Sequence, residues 1–239
     1  MPGVSWPVEA EPPNVTCTGP MTLSLGTVSE QGSELANWLT TAPTVLINLG
    51  GGFEYSVMQA TAMAQAIARV LKETDVQILW KVRMDCVYGD DLMSPLVPFT
   101  DNGRVRVVRW LAADPPSLLE SGHVIASVHH GGSGCYHEAI SAGVPQVVLP
   151  LWLDLYGLAQ LTESIGVGVW RCRKTSPQWT AECLQEAILR VVSSNGSQSF
   201  REKSRDLGLR AQESPGRYVA APVIVVLAGS GAFKPKVAI

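Results

Sequence analysis

Charge is scarce in this 239-residue chain: Asp, Glu, Lys and Arg supply 16% of its residues, against 46% hydrophobic ones. The balance is −3 with a pI of about 5.8, which excludes a broad nucleic-acid surface. Long apolar runs are also missing. Val219 to Ala228, the longest near the C-terminus, is interrupted by Pro222 and falls short of the roughly 20 residues that span a bilayer. No membrane anchor is expected. The opening residues lack the basic start and apolar core of a signal peptide, so the expected location is cytoplasmic, and the sequons at Asn14 and Asn195 carry little weight. Cys17, Cys86, Cys135, Cys172 and Cys183 are odd in number, widely spread and without a CxxC pair, as suits a reducing compartment. No cysteine or carboxylate stands at a familiar ligand spacing from His129, His130 and His137, so no metal site is expected. The GxGxxG and GxxxxGKS phosphate loops are absent, and so is DxD.

What the chain does have is alternation. Thr44 to Leu49 is a β-rich apolar run ending in Gly50-Gly51-Gly52, and Ser56 to Leu71 follows with helical spacing at Met58, Ala62, Ile67 and Leu71. Val76 to Val82 and Arg104 to Val108 read as strands, with Asp90 to Gly103 a loop of prolines and Asp/Asn turn residues between them. Further on come strand Val147 to Leu149, helix Leu155 to Ser164, strand Val167 to Trp170, and helices near Ala181 to Val192 and Ser199 to Gln212. This order predicts an α/β fold: a single Rossmann-like domain, its parallel sheet covered by helices on both faces. Ligands of such sheets bind at the carboxyl ends of strands, where Gly50, Lys81, Trp110, His130 and Pro150 all fall.

The stretch from Val128 to Pro150, VHHGGSGCYHEAISAGVPQVVLP, is the most informative. An apolar strand, Val124 to Val128, enters a turn with Gly131, Gly132 and Gly134, and Cys135 to Ala142 reads as helix with Gly143 after its end. Unpaired amides and the positive end of a helix dipole favour an anion there. The paired histidines add hydrogen-bond donors or charge, and Glu138 lies one turn into the helix.

Trp110 after its strand, the HHGG turn, Ala142-Gly143-Val144-Pro145 and then PLWLDLY, taken in order from about Asn14 to about Ala228, resemble the C-terminal, donor-binding half of UDP-dependent glycosyltransferases of the two-domain GT-B, family 1 type. The wording is closest to fungal and bacterial sterol and natural-product members. The resemblance divides the chain into an N-terminal extension and interdomain-type linker over 1–42, a nucleotide-sugar domain over 43–228 and a flexible tail over 229–239. Pro12-Pro13-Asn14, Gly19-Pro20 and Leu35 to Leu39 look like the linker joining the two halves.

By resemblance, Trp110 stacks on uracil, His130 contacts the diphosphate, and His129 belongs to a double-histidine variant of the motif. Gly132, Ser133, Gly134 and Cys135 occupy the phosphate cradle, Glu138 the ribose-binding position, and Asp154 the acidic member of the sugar-binding pair. Gly51 and Lys81 match further positions near the phosphates. Ala112-Ala113-Asp114 stands where the family has Pro-Gln, and Leu155 where it has a sugar-binding glutamine, which leaves the sugar open. The implied reaction is transfer of a hexosyl group from a UDP-sugar to a small lipophilic or phenolic acceptor, with inversion and without cofactor or metal. No catalytic residue is expected in this chain: the base and acceptor pocket belong to the N-terminal half, as a domain or a partner chain. The alternatives are a stand-alone nucleotide-binding module and a truncated, inactive fragment.

Overall fold

The computed structural model describes residues 4–6, 10, 12–84, 90–193 and 196–230; Cys86, Asn195 and most of the expected tail lie outside them. Six strands form one sheet: β1 (Thr44–Asn48), β2 (Gln77–Lys81), β3 (Val105–Val108), β4 (Val124–His129), β5 (Gln146–Val148) and β6 (Gly168–Trp170). Their order is β3-β2-β1-β4-β5-β6 and every pairing is parallel. β1 and β2 are buried at every position, as uninterrupted Val/Leu/Ile runs require when helices cover both faces.

The helices sort to the two faces by their apolar stripes. α3 (Val57–Glu73) opens on a reciprocal Ser56–Gln59 cap and, with α8 (Ala181–Val192), buries Ile67, Leu71, Leu184 and Ile188 against Ile47, Ile78 and Trp80. On the opposite face α2 (Ser33–Leu39), preceded by the short α1 (Val28–Gln31), packs Trp38 and Leu39 with Leu46, Leu79 and Leu118 of α5 (Pro115–Glu120). The segment that reads as linker therefore includes a helix seated on the sheet. α6 (Ser133–Ala142), α7 (Leu155–Ser164) and α9 (Gln198–Glu213) share a third cluster through Tyr136, Ile140, Leu161 and Leu207.

Two expectations are corrected. The stretch Asp90 to Gly103, read as a loop, holds 3-10 turns at Asp90–Leu92 and Ser94–Leu96 and helix α4 (Val97–Asp101). Pro95 and Pro98 occupy first-turn positions, where a missing N–H does no harm, and Leu92, Leu96 and Phe99 are buried in the main core. The cysteines are not all reduced: Cys172 and Cys183 form a disulfide that ties the segment after β6 to α8. The apolar C-terminal run forms α10 (Gly216–Gly229), with Pro222 inside it and only Gly216 buried. Among the described residues no helix is long and apolar enough to cross a membrane.

The C-terminal end of α3 has a side chain in place of a glycine cap. Arg104, just before β3, donates from Nη1 to the Leu71 carbonyl at 3.0 Å, from Nη2 to Thr74 and Val76, and from Nε to Val76 at 3.2 Å. A planar fork can reach several carbonyls at once, which a lysine ammonium cannot. Arg104→Met is expected to lower unfolding stability in urea by roughly 2 to 4 kcal/mol, since bonds from a charged donor are worth about 1.5 to 3 kcal/mol each. Arg104→Lys should recover less than half of that loss; full recovery would mean that charge alone matters there.

Candidate functional site

The strand order reverses between β1 and β4, and the loops leaving their carboxyl ends part there. A cleft of about 600 Å³ opens at this place. Its floor is Asn48, Gly50 and Gly51 after β1 together with Lys81 at the end of β2. One side is Trp110 to Pro115 after β3, and the other is His130, Gly132, Gly134, Cys135 and Glu138, from the β4 turn and α6. A depression of similar volume, about 590 Å³, lies near Thr27, Glu120 and His123 and holds none of the residues singled out above.

His130 owes its position to two glycines. A Cβ on Gly132 would lie 2.5 Å from its Nε2, and one on Gly50 would lie 2.8 Å from its Cε1. The imidazole thus fits into space that any other residue at either position would fill, and Gly50 also has φ +86°. Burial lowers the His130 pKa, Lys81 acts in the same direction, and the charge of Asp154 opposes them. These effects favour the neutral ring.

His129 has a different task. Its Nδ1 accepts the Gly131 amide at 3.0 Å, which leaves the proton on Nε2, 2.8 Å from Oε1 of Gln146. Full burial pushes its pKa down to about 4, and the Gln146 bond only partly offsets that. His129 therefore lies outside the cleft and holds the glycine turn in shape.

α6 begins at Gly132 with no side chain capping it, so its first amides lack partners within the helix. The Ser133 hydroxyl instead pairs with Nδ1 of His137 at 3.1 Å, and its side chain joins a neighbouring 290 Å³ depression. The Cys135 thiol lies 3.9 Å from Nδ1 of His130 and is pushed up to about 12, first by burial and then by Glu138, so it stays protonated. Burial, followed by the charge of Asp114, raises the Glu138 pKa.

Trp110 is 70% exposed, and the Lys81 ammonium sits 4.3 Å from its ring centroid while donating to the Gly50 carbonyl at 3.0 Å. Desolvation lowers the Lys81 pKa. Asp154, just before α7, is exposed and outside the cleft lining, although close enough to act on His130. Leu155 beside it is buried under the glycine turn. The cleft thus gathers Gly51, Lys81, Trp110, His130, Gly132, Gly134, Cys135 and Glu138, and leaves out His129, the Ser133 side chain and Asp154.

Sequence reasoning missed Asn48, Gln31 and the part played by Asp114. Asn48 Oδ1 accepts the Gly50 amide at 3.2 Å. Asp114 caps α5 through Ser117 and also takes bonds from the Gln31 side chain and the Leu25 amide. Burial acts to raise its pKa, but these bonds outweigh it and hold the carboxylate ionised. The Asp-Pro-Pro-Ser run was a legible helix start for Asp114, whereas nothing near Gln31 in sequence pointed to the cleft.

This fold is that of the C-terminal half of two-domain GT-B glycosyltransferases. The chain belongs to the erythromycin biosynthesis protein CIII-like C-terminal domain family, which matches residues 94–223. It is 35% identical over 251 residues to the glycosyltransferase sdnJ of Sordaria araneosa, a match covering 95% of this chain and 49% of sdnJ. A sterol 3-beta-glucosyltransferase of Leptosphaeria maculans is 35% identical over 99 residues, 41% of this chain and 6% of the enzyme. Os79 from O. sativa superposes with a TM-score of 0.68 at 20% identity, over 80% of this chain and 43% of Os79, a likeness of fold alone. The chain therefore spans about half the length of sdnJ and less of the other relatives.

Protonating His129 would break the turn, which makes stability sensitive to acid. The unfolded chain takes up this proton near the ordinary pKa of about 6.5, the folded chain only near 4, so stability falls as pH drops across that window. The share of His129 is roughly 2 to 3 kcal/mol between pH 7 and 4.5, from about 1.4 kcal/mol per unit. His129→Asn keeps an acceptor for the Gly131 amide and should flatten the urea-unfolding profile by about that amount. Parallel profiles for the two proteins would assign the acid sensitivity elsewhere.

Proposed function

We propose that this chain is the donor-binding half of a UDP-dependent glycosyltransferase. The observation that carries this reading is the convergence in one cleft of an exposed indole, an uncapped helix N-terminus beside a glycine-packed imidazole, and a carboxylate one helical turn further on. Uracil stacks on Trp110, a contact worth about 1 to 3 kcal/mol. The diphosphate takes the open amides of α6 and a hydrogen bond from His130, and Glu138 accepts from the ribose hydroxyls. Lys81 leaves the Trp110 face for the phosphates when the base arrives. Asp154 stands at the sugar end, and no glutamine follows it. A crystal structure of Os79 contains UDP, and several curated relatives are named as hexosyltransferases, which supports the assignment.

In the proposed reaction an acceptor oxygen bonds to the anomeric carbon as the bond from that carbon to the phosphate oxygen breaks. The configuration inverts, and UDP leaves with the electron pair. Charge then grows on the phosphate, where the α6 amides and His130 stabilise it by preorganised hydrogen bonds, with no metal required. The acceptor proton goes to a base in the part of the relatives that this chain does not cover.

Calorimetric titration should rank UDP above GDP and ADP, with binding unchanged by a chelator; equal binding of the three, or loss on chelation, would sink the donor reading. His130→Ala should weaken UDP about tenfold or more and leave uridine nearly unchanged, because only the diphosphate loses a bond to an ionised partner. A diphosphate raises the pKa of His130, so binding takes up a proton and UDP-glucose should bind more tightly as pH falls from 8 to 6. His130→Ala should abolish that trend.

The chain alone, mixed with UDP-glucose and a phenol or sterol, is expected to form no glycoside above background, and an added N-terminal acceptor domain should restore transfer. Product confirmed by mass from the chain alone, and lost in Glu138→Ala, would place a complete active site within it.

A further inference from the structure

A second cavity of about 500 Å³ lies at the carboxyl end of β6, the outer strand of the sheet, and shares no lining residue with the donor cleft. Its wall is the segment from Arg171 to Thr180, bound to α8 through the Cys172–Cys183 disulfide. Four cations, Arg171, Arg173, Lys174 and Arg190, line it against two carboxylates, Glu163 and Glu186. That is an excess of two positive charges in a chain whose balance is −3. Glu163 is already engaged by Arg173, and among the described residues no ion pair involves Arg171 or Lys174.

The remaining wall is apolar. The Trp170 ring carries the Arg173 guanidinium 4.3 Å from its centroid, and the disulfide lies alongside. The Trp170 indole N–H is shut off from water and has no acceptor, an uncommon state for a buried donor.

We propose that this cavity binds a small organic oxyanion, a sulfonate, sulfate or phosphate head on a flat apolar body. The head takes Arg171 and Lys174, and the body lies alongside Trp170 and the disulfide. Guanidinium groups suit such a head because their planar fork matches its oxygens. The site stands apart from the donor cleft and does not depend on what that cleft holds.

The test follows the Trp170 indole N–H in nitrogen-15 correlation spectra, assigned by Trp170→Phe among the seven tryptophans. Naphthalene-2-sulfonate is the probe, with naphthalene-2-methanol and inorganic sulfate as controls. The sulfonate should shift this resonance saturably, at least roughly tenfold more tightly than either control, and equally well with the cleft saturated by UDP-glucose. The double variant Arg171→Ala/Lys174→Ala, checked for an otherwise unchanged spectrum, should weaken it by a similar factor. The proposal is overturned by absence of a saturable shift, by equal binding of the neutral alcohol or of sulfate, by displacement with UDP-glucose, or by unchanged affinity in the double variant. None of these outcomes bears on UDP binding in the cleft.

Discussion

Crossovers from β1 run to one side of the sheet and those from β4 to the other, so the loops that leave these neighbouring strands must separate. Every contact in the cleft derives from that divergence. It sets Gly50 and Gly51 across from the β4 turn and leaves a gap one imidazole wide, which His130 fills between Gly50 and Gly132. The same gap exposes the first turn of α6, whose amides would otherwise meet a capping side chain. The chain uses glycine here for clearance as much as for turning.

Two adjacent histidines divide the labour. His129 points down, fully buried and neutral, and its fixed tautomer links the glycine turn to Gln146 on β5. His130 points up into the cleft, where partial burial and, to a lesser degree, Lys81 hold its pKa below the ordinary histidine value. In the cleft the Lys81 ammonium rests over the Trp110 ring, and burial and Asp114 raise the pKa of Glu138.

The far edge of the sheet follows another logic. Beyond β6 the chain concentrates arginine and lysine around a tryptophan and a disulfide, although the remainder of the chain is acidic overall. Closing the Arg171–Thr180 segment onto α8 gives that edge a walled recess instead of an open strand end. The donor cleft and this recess lie at carboxyl ends of strands of one sheet, and they differ in what the neighbouring helices bring to them.

The repeating βα pattern was legible in residues 44–192 because strands buried on both faces leave unbroken apolar runs and their helices carry 3.6-residue stripes. So was the glycine turn with His130, Cys135 and Glu138, since these residues are local to one strand, one turn and one helix. Asp90 to Gly103 misled, because proline in the first turn of a short helix looks like proline in a loop until Leu92, Leu96 and Phe99 are seen to be buried. Pairings across long separations were beyond reach, such as Gln31 with Asp114 and Lys81 with Trp110, and so was the disulfide between Cys172 and Cys183. The sequence by itself determined the βα repeat and the glycine turn at the start of α6, both consequences of backbone conformation and near-neighbour periodicity. Only the tertiary structure decided which of two adjacent histidines faces the cleft and where the ammonium of Lys81 rests, because burial and charge at those points come from segments tens of residues away.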